Sequence, residues 1–164
     1  MNTAVIVDAI RTPLGKRNGR MKNWHPVDLA AEVMSSLVKR TGIDPAMIDD
    51  VVMGCVMQVG ERGLNVARNA VLAAGWPDTV PGTTVDRQCG SSRQAAHFAA
   101  QGVMADTYDV VVAAGVEVMS RVPMGSSVSD RRIVRDLGSN LPCITPMGTC
   151  AKLTTEKLYR QQLV

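Results

Sequence analysis

One cysteine stands where chemistry is possible. In Val85-Asp86-Arg87-Gln88-Cys89-Gly90-Ser91-Ser92-Arg93-Gln94-Ala95 a short apolar run, Thr83–Val85, enters a Gly/Ser corner, and a segment of small residues (Ala95, Ala96, Ala99, Ala100) leaves it. The pattern predicts a strand that hands over to a helix at Cys89. The first N–H groups of a helix lack internal partners and carry partial positive charge, so a thiolate placed there is favoured. Gly90, Ser91 and Ser92 keep the approach open, and the backbone N–H of Cys89 could donate to a developing oxyanion. The alternative is a small buried hydrophobe, the commoner fate of a cysteine. The corner favours chemistry over packing.

A cysteine nucleophile works with a base, and the sequence holds two histidines, His25 and His97. His97 lies further along the same expected helix, roughly 12 Å away at 1.5 Å rise per residue, which rules it out as the partner. His25 precedes Pro26 and reads as a helix-start or surface residue. A phosphatase-type loop would need Arg where Ala95 stands, and neither a GxxxxGK[ST] nor a GxGxxG phosphate cradle occurs.

The elements that must hold the corner follow from periodicity. Ala4–Ile10 is a nearly continuous apolar run and predicts a buried strand. Leu29, Ala30, Val33, Met34, Leu37 and Val38 form a helical stripe, with Pro26 at its first position and Gly42 at its C-terminal cap. Val51–Val56 predicts a second strand, and Val66, Ala67, Ala70, Val71 and Ala74 a second helix stopped by Gly75 and Pro77. Thr83–Val85, a helix after Cys89 running to about Met104, and a strand at Asp109–Ala114 complete the series. Strands alternating with helices predict an α/β fold with a four-stranded parallel sheet. After Ser120 the glycines, serines and prolines of 121–146 read as an excursion from the sheet. Ala151–Tyr159 has helical spacing.

Composition sets bounds on the rest. The chain of 164 residues is 46% hydrophobic and 20% charged, a globular balance, and with 3% aromatics its core must come from Ala, Val, Leu, Ile and Met. The net charge is a modest +3, and the basic residues fall in two loop-like clusters, Arg11–Lys22 and Arg131–Arg135, without interleaved aromatics, which argues against nucleic acid as partner. No apolar run approaches the ~20 residues of a membrane span, and no signal peptide is evident, so a cytoplasmic location is expected. Cys55, Cys89, Cys143 and Cys150 match neither a disulfide framework nor a zinc site, so no metal is expected.

The segments VIVDAIRTPLGKRNG, MGCVMQVGERGLNVARNAVLAAGWP, TTVDRQCGSSRQA, YDVVVAAGVEVMSRVPMGS and PMGTCAKLTTEK resemble successive blocks of the thiolase family, acetyl-CoA acetyltransferases and 3-ketoacyl-CoA thiolases. The resemblance implies that Cys89 is acylated, and that acyl groups pass between acyl-CoA and coenzyme A. Coenzyme A thioesters are then substrates, and no cofactor is needed. It implies a thiolase-like fold, here an N-terminal βαβαβαβ half over residues 1–120 with the start of an inserted loop domain over 121–164. Met147 and Gly148 match a block that lines the acyl pocket, and a homo-oligomer, dimer or tetramer, is expected. Asp86 replaces a usual Asn, Ser92 and Ala114 replace Gly, and Lys152 replaces Glu. The family's catalytic His and Asn, its second reactive cysteine and most of its coenzyme A loop would belong to sequence beyond these residues. The competing reading is therefore a non-catalytic thiolase-like half, at most an interaction module.

Overall fold

The structure, a computed structural model, describes residues 2–127. Strands β1 (Asp50–Gly54), β2 (Gly82–Val85) and β3 (Val111–Gly115) form a parallel sheet in the order β2-β1-β3. In register, Val51 faces Gly82 on one side and Val112 on the other, and Gly54 is flanked by Val85 and Gly115. Helices α1 (Pro26–Thr41), α2 (Val66–Ala73) and α3 (Ser91–Met104) accompany it. The α/β class and the parallel pairing are those expected.

α1 begins and ends where its punctuation says. His25 Nδ1 accepts from the N–H of Val27 at 3.3 Å, and Pro26 occupies the first turn, where its missing donor costs nothing. Gly42 closes the helix at φ 71°, in the left-handed region, with its N–H on Val38 O. His25 is thus a cap, as its position suggested.

From β1 the chain crosses through α2 to β2 on one side, then returns through α3 to β3 on the other. With right-handed crossovers, that reversal puts α2 and α3 on opposite faces of the sheet. The central strand is accordingly buried on both faces: Val51 and Met53 join the cluster of Ala30, Met34, Val66, Ala70 and Val71, while Val52 alternates to the side of α3. Trp76 is the one aromatic in this core, in keeping with the aliphatic composition.

Element boundaries shift by one or two residues from the sequence reading, β1 beginning at Asp50 and β2 at Gly82, and two of the shifts have a visible cause. β3 starts at Val111 because Asp49 Oδ2 takes the N–H groups of Asp109 and Val110, at 2.7 and 2.9 Å. β1 ends at Gly54, after which Cys55 still donates to Val85 O at 3.0 Å and Val56 leaves the ladder.

The larger correction concerns Ala4–Ile10. It forms no strand, and Val5, Ile6 and Val7 are 74%, 88% and 74% exposed, so among the described residues the sheet has three strands where four were expected. An apolar run states what a segment can bury, whereas pairing needs an edge and a covering layer. Here polar bonds hold its flanks: Asn2 Nδ2 donates to Asp106 Oδ1 at 2.7 Å, and Arg40 Nη2 to Asp8 Oδ1 at 3.1 Å.

Residues 121–127 lie outside the sheet, as expected of the segment after Ser120. Arg121 binds both oxygens of Glu61 at 2.5 Å, and Val122 is buried. The rest of the expected excursion and the helical spacing of Ala151–Tyr159 lie outside the described residues. Among the described residues no helix is long and apolar enough to cross a membrane.

Candidate active site

Cys89 stands between β2 and α3, at the strand-to-helix corner predicted for it. Gly90 N–H donates to Arg87 O at 2.7 Å, so Arg87–Gly90 is a tight turn with Cys89 at its third position. There Cys89 adopts φ 58°, a left-handed conformation that costs a non-glycine residue about 1–2 kcal/mol. A nucleophile on a strained turn of this kind projects from the backbone instead of packing. Its side chain is exposed.

Ser91 holds the corner together. Its Oγ donates to Arg87 O at 2.9 Å and accepts from Arg87 N–H at 3.0 Å, and the residue itself is buried. The hydroxyl therefore locks the turn onto the first residue of α3. Two glycines let that helix end come close. A Cβ on Gly54 would collide with the backbone of Ser91 and Ser92, and one on Gly115 with the Ser92 side chain. The start of α3 consequently sits directly over the ends of β1 and β3.

Beside Cys89 lies a cleft of about 260 Å³, lined also by Gly54, Val56, Ser92, Arg93 and Glu117. These residues follow three different strands at their C-terminal ends, the edge at which open parallel sheets bind ligands. Glu117 Oε1 accepts from Val56 N–H at 2.5 Å and lies 3.4 Å from Met57 N, while Oε2 pairs with Arg62. Sequence reasoning missed Glu117 and Arg62, and took Ser91 only for a small residue at the corner. A lone acid in the apolar run AAGVEVM was the available signal for Glu117; nothing local marks Arg62.

Neither histidine lines this cleft. His25 caps α1, with Nε2 4.0 Å from Glu61 Oε2, and His97 is an exposed residue of α3. Arg121 holds the Glu61 carboxyl below its ordinary range. Partial desolvation pushes the Asp86 carboxyl up, and a hydrogen bond from Gln88 opposes it. A second cleft of about 350 Å³, lined by Asn18, Lys22, Asn23, Glu61, Ser120 and Arg121, contains no thiol. Met147, Gly148, Cys143 and Cys150 lie outside the described residues.

Cys55 supplies an internal contrast. It is fully buried, and burial pushes its thiol up, with Arg62 acting in the opposite direction. Iodoacetamide at neutral pH, followed by peptide mapping, should therefore modify Cys89 at least about tenfold faster than Cys55 in the folded chain. Equal rates would show that the corner does not present its thiol.

The profile of the family described as "Thiolase, N-terminal domain" matches residues 4–158. The chain belongs to the thiolase family. A steroid 3-ketoacyl-CoA thiolase of Mycobacterium tuberculosis is 52% identical over 129 residues, 79% of this chain and 32% of that protein. A 3-ketoacyl-CoA thiolase of Pseudoalteromonas translucida is 52% identical over 126 residues, 76% of this chain and 32% of that protein. The crystal structure of the Bacillus anthracis acetyl-CoA acetyltransferase superposes with a TM-score of 0.70 at 46% identity, covering 73% of this chain and 30% of that one. The chain thus spans about a third of the length of the curated relatives it matches. The thiolase-like fold implied by the sequence blocks stands.

Proposed function

We propose that Cys89 is the acyl-carrying nucleophile of a thiolase-type transfer between acyl-CoA and coenzyme A. The observation that carries this reading is the exposed thiol on a left-handed turn, opening into a cleft at the C-terminal ends of the strands. With an acyl-CoA, the thiolate attacks the thioester carbonyl, the bond to the coenzyme A sulfur breaks, and coenzyme A leaves as a thiolate that takes up a proton. With a 3-ketoacyl-CoA, attack falls on the ketone and the C2–C3 bond breaks. Acetyl-CoA departs as a carbanion equivalent that is protonated, and the shortened acyl group stays on Cys89 until coenzyme A accepts it. Condensation is the reverse.

The competing reading, a half that carries the nucleophile without completing a cycle, is favoured by one observation. No histidine among the described residues lines the cleft, and protonation of the carbanion calls for a group that can give and take a proton. Two measurements on the 164-residue chain separate the readings. Incubation with acetyl-CoA should acetylate the Cys89 peptide. Steady-state thiolysis of acetoacetyl-CoA, abolished in Cys89→Ala, would establish the complete enzyme. Acetylation without turnover would establish the nucleophile half, and neither would overturn the role given to Cys89.

A further inference from the structure

Arg62 is the largest fully buried side chain of the described residues, at 0% exposure. Burying a guanidinium is costly unless it is paired. Its Nη2 donates to Val122 O at 2.8 Å, its Nη1 meets Glu117 Oε2, and its Nε finds no hydrogen-bond partner among the described residues. A methionine or leucine would fill such a site more cheaply, so the charge calls for a reason. That reason lies at the other end of the pair. Glu117 is partly exposed, is the only acid among the described residues lining the Cys89 cleft, and accepts from the N–H of Val56, which also lines it.

We propose that Arg62 and Glu117 are positioning residues of the Cys89 cleft. Glu117 fixes the wall at Val56, and Arg62 cancels its charge, so that the cleft presents no net negative field to the thiolate or to an anionic thioester. The inference rests on Cys89 being the nucleophile. Without Arg62, the carboxylate that shapes the cleft would repel both reactants. The other charges near the corner are Arg93 on the first turn of α3, and Arg87 and Asp86 on the turn itself; from the β1 side the titratable neighbour is Cys55, which also feels Arg62.

The test uses two reagents of equal mechanism and different charge. Iodoacetamide is neutral and iodoacetate anionic, so the ratio of their rates at the Cys89 peptide cancels the thiolate population and reads the field in the cleft. A single charge several ångströms from the reagent changes that ratio by roughly threefold. Arg62→Met should raise the neutral-to-anionic ratio about threefold, Glu117→Gln should lower it by about as much, and the double variant should return it to the wild-type value. A purely structural role would change both rates together and leave the ratio fixed in every variant, which would overturn the proposal. If one single variant does not fold by circular dichroism, the other is read against the double variant, which buries no charge. The double variant's ratio must equal that of wild type, and a shift in either direction overturns cancellation. Acetylation of wild type by acetyl-CoA reports separately on the nucleophile. A chain that is acetylated yet shows an invariant ratio refutes only the charge pairing, whereas one that is not acetylated refutes the reading beneath it.

Discussion

Cys89→Ala should reduce acetylation of the chain by acetyl-CoA by at least about 10³-fold, to the level of non-specific modification. The size follows from the chemistry. Transfer to a thiol is a covalent step, and among the described residues no neighbouring group can replace the sulfur: the hydroxyls at the corner, Ser91 and Ser92, belong to α3, and Ser91 Oγ is engaged twice with Arg87. Cys55→Ser provides the control. Its thiol is fully buried behind the end of β1, so its loss should leave acetylation within about twofold of wild type, provided the core tolerates the hydroxyl. Peptide mass mapping of both variants checks the outcome. Acetyl groups retained in Cys89→Ala, or lost in Cys55→Ser with the fold intact, would remove Cys89 from the mechanism.

Gly54→Ala should destabilise the folded unit by about 3 kcal/mol or more. That loss corresponds to a fall in Tm of roughly 10 °C. A Cβ at this position meets the backbone of Ser91 and Ser92, and backbone cannot rotate aside. The start of α3 would have to lift from the sheet, opening the cleft and moving Cys89. Gly115→Ala is gentler by the same reasoning, since its collision is chiefly with the Ser92 side chain, and Ser92→Gly in the same chain should relieve much of it. Gly42→Ala is the conformational control. It sits at φ 71° with nothing within 4 Å of an added Cβ, so only the left-handed penalty of about 1 kcal/mol applies. Thermal melts of the four variants would show the order, and a Gly54→Ala melt as mild as that of Gly42→Ala would contradict the packing described.

One of the departures from the thiolase blocks that the resemblance implies bears on the same contact. Ser92 stands where the resemblance implies a glycine, and the structure places its hydroxyl against Gly115. Ala114, the other such position, is half-buried against the main core. Asp86 lies on the corner itself, where partial desolvation raises its carboxyl.

What the sequence determined by itself is what local chemistry controls. Pro26 and Gly42 bound α1 because one lacks a donor that the first turn does not need and the other reaches the left-handed region. The Gly/Ser corner announced a turn at Cys89, and the spacing of strands and helices announced a parallel α/β sheet. These signals act over a few residues, so the sequence displays them directly. Tertiary structure decided what depends on distant partners. Ala4–Ile10 has the composition of a buried strand, yet whether it pairs is fixed by which edges are open and covered, and it lies exposed. Gly54 reads as an ordinary residue within the strand Val51–Val56 until α3 is placed upon it. Arg62 in the run GERGLN reads as a surface charge, and only the approach of the loop after β3, bringing Glu117 and the carbonyl of Val122, turns it into a buried cation behind the wall of the cleft. Contacts between residues some sixty positions apart leave no periodic trace, because each partner satisfies the rules of its own segment equally well with the other absent.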